Sequence, residues 1–191
     1  MTTTEPATTA TGTYKIDPSH SRFGFVARHA MVTKVRGSFN EFDGTGYFDA
    51  AEPAKSHLEL TIKAASIDTR NPDRDAHLRS NDFFSMDEYP EITFVSTKVE
   101  QASENSYRIT GDLTIKGVTR PITFDLEYAG DVVDPWGNTR IGFEGSTTVN
   151  RKDWGVNWNV ALEAGGVLVS ENVTLEFEIA AVRVEEAEPA A

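Results

Sequence analysis

Four histidines and no cysteine bound the chemistry open to this chain of 191 residues. Without cysteine, disulfides, thiolate metal sites, iron–sulfur clusters and thiol nucleophiles are excluded by counting. His20 stands with Asp17, Ser19 and Ser21, the residue types of a nucleophilic triad. All four lie within five positions, where a turn holds them too close for relay geometry, so a hydrogen-bonded turn around Pro18 is the expected role. His29, His57 and His77 are scattered, and no pair has the spacing of a metal site on one helix or strand. His57 is expected on the wet face of a strand and His77 on a solvated helix face. Gly44 and Gly46 do not open a helix after a strand, so they read as turn and strand glycines rather than a nucleotide loop. Arg151 and Asp153, beside Trp154, suit either a rim ion pair or an arginine that meets a phosphate or quinone oxygen. Arg70, Asp73, Arg74, Asp75 and Arg79 read as a charge network on a helix surface. No catalytic residue, metal or cofactor is expected.

The charge balance narrows the partners. With 30 acidic against 18 basic residues the formal net charge is -12, which repels a phosphate backbone and sets nucleic acid aside. The same field disfavours loose electrostatic docking onto anionic membranes, leaving transient contact through a short hydrophobic mouth. No window approaches the ~18 apolar residues of a membrane span. Residues 1–12 (MTTTEPATTATG) contain no Lys or Arg and no apolar run, so no secretory signal is read there and a cytoplasmic protein is expected.

The elements that must position these residues are mostly strands. Val173, Leu175, Phe177 and Ile179 alternate with Thr174, Glu176 and Glu178, giving one apolar and one wet face. Leu58, Leu60, Ile62 and Ala64 repeat the pattern, as do Ile122, Phe124, Leu126 and Tyr128. Further strands are expected at 21–28, 34–42, 45–49, 92–100, 106–115 and 140–150, eight or nine in all. Turns are read at Glu41–Gly44, Glu104–Asn105 and Asp134–Asn138. One short helix is expected within 71–87, because Pro72 after Asn71 suits a helix start. With no βαβ alternation, the expectation is an all-β barrel or sandwich spanning residues 13–184, flanked by disordered tails at 1–12 and 185–191.

On the first long strand Phe23, Phe25 and Ala27 share a face, and the next strand contributes Val35, Gly37 and Phe39. Phe94, Phe124, Phe143 and Phe177 extend this lining, while Met31, Phe83 and Phe84 sit at or near non-strand segments where a cavity mouth could lie. The alternation itself fits a filled core as readily as a hollow one. His29 ends the inward-facing strand and suits either a head-group contact or a satisfied rim histidine.

Six motifs in order then carry a resemblance. Tyr14–Phe25 (YKIDPSHSRFGF) with His29 and Val35–Phe39 (VRGSF), Ser66–Phe84 (SIDTRNPDRDAHLRSNDFF), Tyr89–Thr97 (YPEITFVST), Gly111–Pro121 (GDLTIKGVTRP) and Asn150–Gly155 (NRKDWG) resemble the YceI-like family of polyisoprenoid-binding, lipocalin-like proteins. The resemblance covers nearly all of the folded part. It implies an eight-stranded antiparallel lipocalin-like barrel with one short helix and a long internal apolar tunnel holding an isoprenoid tail. The function expected on this basis is binding, transport or storage of an isoprenoid lipid, a polyprenyl phosphate or a prenyl quinone, without catalysis. Phe23, Phe25, Ala27, Phe39, Phe94 and Phe143 would line the tunnel, with Met31, Phe83, Phe84 and Trp154 near its mouth and His29 or Arg151 near the head group. Rival readings are an enzyme acting on a small apolar ester or isoprenoid, and a filled barrel serving as a stress-linked scaffold. A homodimer, through a face or the helix region, stands level with a monomer.

Overall fold

The computed structural model describes residues 10–184, and the expected tails at 1–9 and 185–191 lie outside the described residues. Residues 10–12, assigned to the N-terminal tail from sequence, are packed: Ala10 is buried and its carbonyl accepts the Tyr14 hydroxyl at 2.6 Å. The strands are β1 (Gly12–Ile16), β2 (Arg22–His29), β3 (Thr33–Phe39), β4 (Phe42–Phe48), β5 (His57–Lys63), β6 (Ile67–Asp68), β7 (Glu91–Ser103), β8 (Ser106–Ile115), β9 (Val118–Val133), β10 (Thr139–Asn150) and β11 (Asn172–Arg183). One helix, α1 (Pro72–Arg79), lies between β6 and β7.

These segments make eight long staves. β1 pairs with residues 181–183 of β11 and β2 with residues 174–178 of the same edge. Across the break between them, the Asp17 amide donates to the Ala180 carbonyl at 2.8 Å and Ser21 Oγ accepts from the Ala180 amide at 2.9 Å, so the ladder continues. β3 runs into β4 through Asn40 and Glu41, and β5 into β6 through a short 3-10 turn at Ala64–Ser66. Each of these pairs counts as one stave, and with β7 to β11 they form a closed eight-stranded antiparallel barrel in up-and-down order. Closure leaves few unpaired edges.

The alternation read from sequence sorts as expected for a half-wet barrel: Ile109, Leu113, Phe124 and Leu126 are buried, while Arg108, Asp125 and Glu127 are exposed. Two boundaries differ. The tight turn expected at Glu41–Gly44 is instead a bend at Asn40 and Glu41 within one stave, because β3 and β4 do not pair and Phe42, Asp43 and Gly44 already pair with Ile62, Thr61 and Leu60. The helix stops at Arg79, where Ser80 Oγ bonds back to the His77 carbonyl at 2.6 Å, and residues 80–90 form turns. Its start is as expected, with Asn71 Oδ1 accepting the Arg74 amide at 3.0 Å and Pro72 in the first turn.

The expected helix-surface charge network takes a different form. Asp75 is buried and accepts the Thr69 amide at 3.0 Å and hydroxyl at 2.6 Å. Arg74 bonds the Thr69 carbonyl and hydroxyl, and Arg79 the Ala65 and Ile67 carbonyls. These charges tie α1 to the end of β6 rather than to one another. Among the described residues, no helix is long and apolar enough to cross a membrane.

Candidate functional site

The inner faces of the staves leave two apolar cavities in series along the barrel. The larger, about 190 Å³, occupies the lower half, toward the β2–β3 tip and α1. The smaller, about 90 Å³, lies in the upper half, toward the β9–β10 turn. Ile16, Leu58, Leu126 and Ile179 wall both and form a waist between them. Aromatic packing sets the walls: Phe124 meets Phe177 at 5.0 Å and Phe94 at 5.4 Å in the lower chamber. Phe48 meets Tyr107 at 5.4 Å and Phe143 at 5.5 Å in the upper one. Interiors close-pack unless the side chains are arranged to leave room. Two glycines on inner positions do not create this room. A Cβ on Gly37 would strike the Phe25 ring and one on Gly111 the Phe94 ring, so the rings fill the space that the glycines vacate.

Phe23, Phe25, Ala27, Phe39, Phe83, Phe84, Phe94, Arg151 and Trp154 all line the lower chamber, whereas Phe143 lines the upper one. His29 and Met31 line neither. His29 opens onto a polar surface cleft with Lys34, Arg36 and Arg74, and Met31 sits 58% exposed on the β2–β3 turn. Sequence reasoning passed over the waist residue Ile16 and the residue Trp158. Trp158 packs on His77 at 4.6 Å and on Phe83 at 5.2 Å, joining the α1 region to the β10–β11 connection across the lower end. The segment 155–171 has no period that would flag it. His77 is accordingly half-buried, with Nε2 2.8 Å from Asp82 Oδ2, rather than freely solvated.

Among the described residues, Arg151 is the only charged one on the lower chamber wall. It does not pair with Asp153, which is exposed. Its guanidinium donates to the carbonyls of Val156 at 2.5 Å, Ser170 at 2.9 Å and Val169 at 3.3 Å. Burial pushes its pKa down, opposed by the Glu171 charge. Trp154 is buried, with Nε1 donating to the Leu113 carbonyl at 2.9 Å. The remaining wall offers carbon to a guest and little else.

The triad-like cluster has geometry unsuited to nucleophilic catalysis. His20 Nδ1 lies 2.8 Å from Asp17 Oδ2 and 2.9 Å from Ser19 Oγ, so both neighbours meet the same ring nitrogen. A relay needs the acid and the nucleophile on opposite nitrogens. Ser19 Oγ donates directly to Asp17 Oδ1 at 2.6 Å, and neither cavity is lined by these residues. The Ser19 hydroxyl, then His20 and Arg140, hold the Asp17 carboxyl well below its ordinary range. Among the described residues, no group of His, Asp or Glu is gathered to hold a metal ion.

Comparison with known proteins agrees with this architecture. A model of the YceI-like domain matches residues 14–181. A UPF0312 protein of Photorhabdus laumondii is 44% identical over 143 residues, covering 74% of each chain. The crystal structure of a Campylobacter jejuni YceI protein superposes with a TM-score of 0.72 at 31% identity, covering 83% of this chain and 90% of that one. A domain from Saccharophagus degradans, described as polyisoprenoid binding and implicated in plant cell wall breakdown, superposes with a TM-score of 0.64. At 14% identity, covering 90% of this chain and 98% of that one, it speaks for the fold alone.

Proposed function

Because the chain belongs to the YceI-like family, we propose that its barrel is a non-catalytic carrier or store for an isoprenoid lipid, a prenyl quinone or a polyprenyl phosphate. The observation that carries this reading is the serial pair of apolar chambers, whose lower member has, among the described residues, a single charged one in its wall. A long hydrocarbon thread suits such a space, while a polar substrate would lose its water without replacement bonds. The ligand class named for the Saccharophagus domain is compatible with this choice. On this reading Phe23, Phe25, Ala27, Phe39 and Phe94 touch the tail.

Energetics favour a carrier over a trap. Burying methylenes stabilises by about 0.8 kcal/mol each, so a tail of ~40 carbons sums to on the order of 30 kcal/mol relative to water. That exceeds the ceiling of roughly 18 to 21 kcal/mol for non-covalent complexes, so ordering the flexible tail must offset much of it. The lipid's alternative home is a bilayer as apolar as the barrel. Exchange between the two is therefore close to balanced, and small differences set its direction.

The test is mass spectrometry of an organic extract of the purified protein and of an Ala27→Trp variant, each loaded with a prenyl quinone or a polyprenyl phosphate. The wild type should retain lipid near one per chain. The variant, whose indole projects into the lower chamber, should stay folded and lose most of it. Equal uptake by a folded variant would refute the placement, and a wild type that retains neither lipid would refute the cargo.

A further inference from the structure

We propose that the lower end of the barrel, formed by the β2–β3 tip and the 159–169 hairpin beside it, is a docking face for an anionic lipid bilayer. The proposal rests on the carrier reading for its purpose but not for its evidence, which is the surface at this end.

The first observation is an apolar tip that the core does not require, although Met31 lies over Gly166 of the neighbouring hairpin. Val32 is 76% exposed and Met31 58%, and Val160 on the neighbouring hairpin is 47% exposed. Ala30 and Met31 have φ of 51° and 64°, and the Val32 amide bonds the His29 carbonyl at 3.1 Å. Such a turn places two residues in the left-handed region, where Asn and Gly are favoured and other residues cost on the order of 1 kcal/mol. Neither local conformation nor the core selects Ala, Met and Val here.

The second observation is charge of the opposite sign to the whole molecule. The chain carries -12, yet residues 28–36 hold Arg28, Lys34 and Arg36 with no carboxylate, and Glu163 is the one acidic residue of 159–169. Arg28 and Lys34 are directly opposite each other in the β2–β3 register and both are exposed. Like charges so placed repel. Among the described residues neither takes part in an ion pair. An anionic surface would relieve this repulsion while the apolar tip enters the headgroup layer.

Position completes the argument. The tip is clamped to the 159–169 hairpin, where the Ala30 amide donates to the Leu168 carbonyl at 2.7 Å and His29 bridges Val169. Ala27 and Val169, next to these contacts, line the lower chamber. A bilayer held at this face would meet the barrel where its larger cavity ends. The other exposed apolar tip, Val132, Val133 and Trp136, lies at the upper end beside Asp131 and Asp134, a poor match for anionic headgroups.

Vesicle co-sedimentation with lipid-stripped protein tests the face apart from the cargo, using phosphatidylcholine vesicles with and without phosphatidylglycerol. The wild type should partition more strongly onto the anionic vesicles, and less as salt rises. Arg28→Gln with Lys34→Gln should weaken this by about twenty-five-fold, at roughly five-fold per charge. Val32→Asn should weaken it by up to about ten-fold. Trp136→Ser should leave it unchanged, and all variants should still load prenyl lipid from detergent solution. Equal binding to both vesicle types, full binding by the charge variants, or loss of binding in Trp136→Ser would each overturn the proposal. A wild type that docks but never loads lipid would refute the carrier reading while leaving the docking face in place.

Discussion

Replacing Arg151 by Met would leave the carbonyls of Val156 and Ser170 without a side-chain donor at the edge of an apolar chamber, while that of Val169 would keep Asn159 Nδ2 at 2.7 Å. Arginine stays charged even when burial lowers its pKa, so these carbonyl dipoles serve as its counter-charge. Because the three bonds hold both ends of the 155–171 segment, the loss should cost about 2–4 kcal/mol, read as a lower urea midpoint. A variant of unchanged stability would mean that the guanidinium is spare and available to a ligand head group. The sequence placed Arg151 near Asp153 and Trp154 and could be read either way. What it does not display is that the short 3-10 turn at Arg151–Trp154 buries Arg151 and Trp154 and leaves Asp153 outside. The aromatic and alanine wall positions were easier to read, since β2 alternates with period two and its inner face is fixed once one residue is placed.

At the scale of elements, the break between β1 and β2 is held by a charge relay across the upper barrel. Arg140, on β10, donates to Asp17 Oδ2 at 2.9 Å and to Asp134 Oδ2 at 2.8 Å. Arg140, with the Asn138 and Trp136 amides, holds the Asp134 carboxyl down to about 2. Both aspartates thus have folded-state pKa values below the ordinary 3.8. Their contribution to stability is therefore complete above about pH 4 and is lost as pH falls below it. An Arg140→Gln variant should be less stable than the wild type near neutrality, and the gap should narrow between about pH 4 and pH 2. Thermal melts at several pH values would show this, and a gap independent of pH would assign the loss to packing alone. Strands with long alternation, such as β8, β9 and β11, were legible because each has a wet and a dry face. The kinked stave of β1 and β2 was not, because its two halves read as a motif and a strand, and what joins them is a distant pairing to Ala180. Segment 155–171 was illegible for a related reason: its order comes from Arg151, Asn159 and the β2 tip rather than from any repeat of its own.

Across the whole molecule, net charge and its local distribution point in different directions. A value of -12 argues against anionic membranes as an average, but potentials act locally, and the β2–β3 tip, residues 28–36, carries only basic charges. An axial asymmetry appears inside as well, where the larger apolar chamber lies toward that end and the smaller one beyond the waist. If a tail enters from below, the waist sets how much of it the barrel can hold. Leu126 is buried at that waist, walling both chambers. Leu126→Ala should join the two spaces at a cost of about 2–5 kcal/mol, affordable only if the barrel's total lies in the usual range of roughly 5–15 kcal/mol. When the folded variant and the wild type are loaded from one mixture of prenyl chain lengths, mass spectrometry should show the variant's bound population shifted to longer tails. An identical distribution would mean that tails stop short of the waist, so that the lower chamber alone, together with the docking face beneath it, determines what the barrel carries.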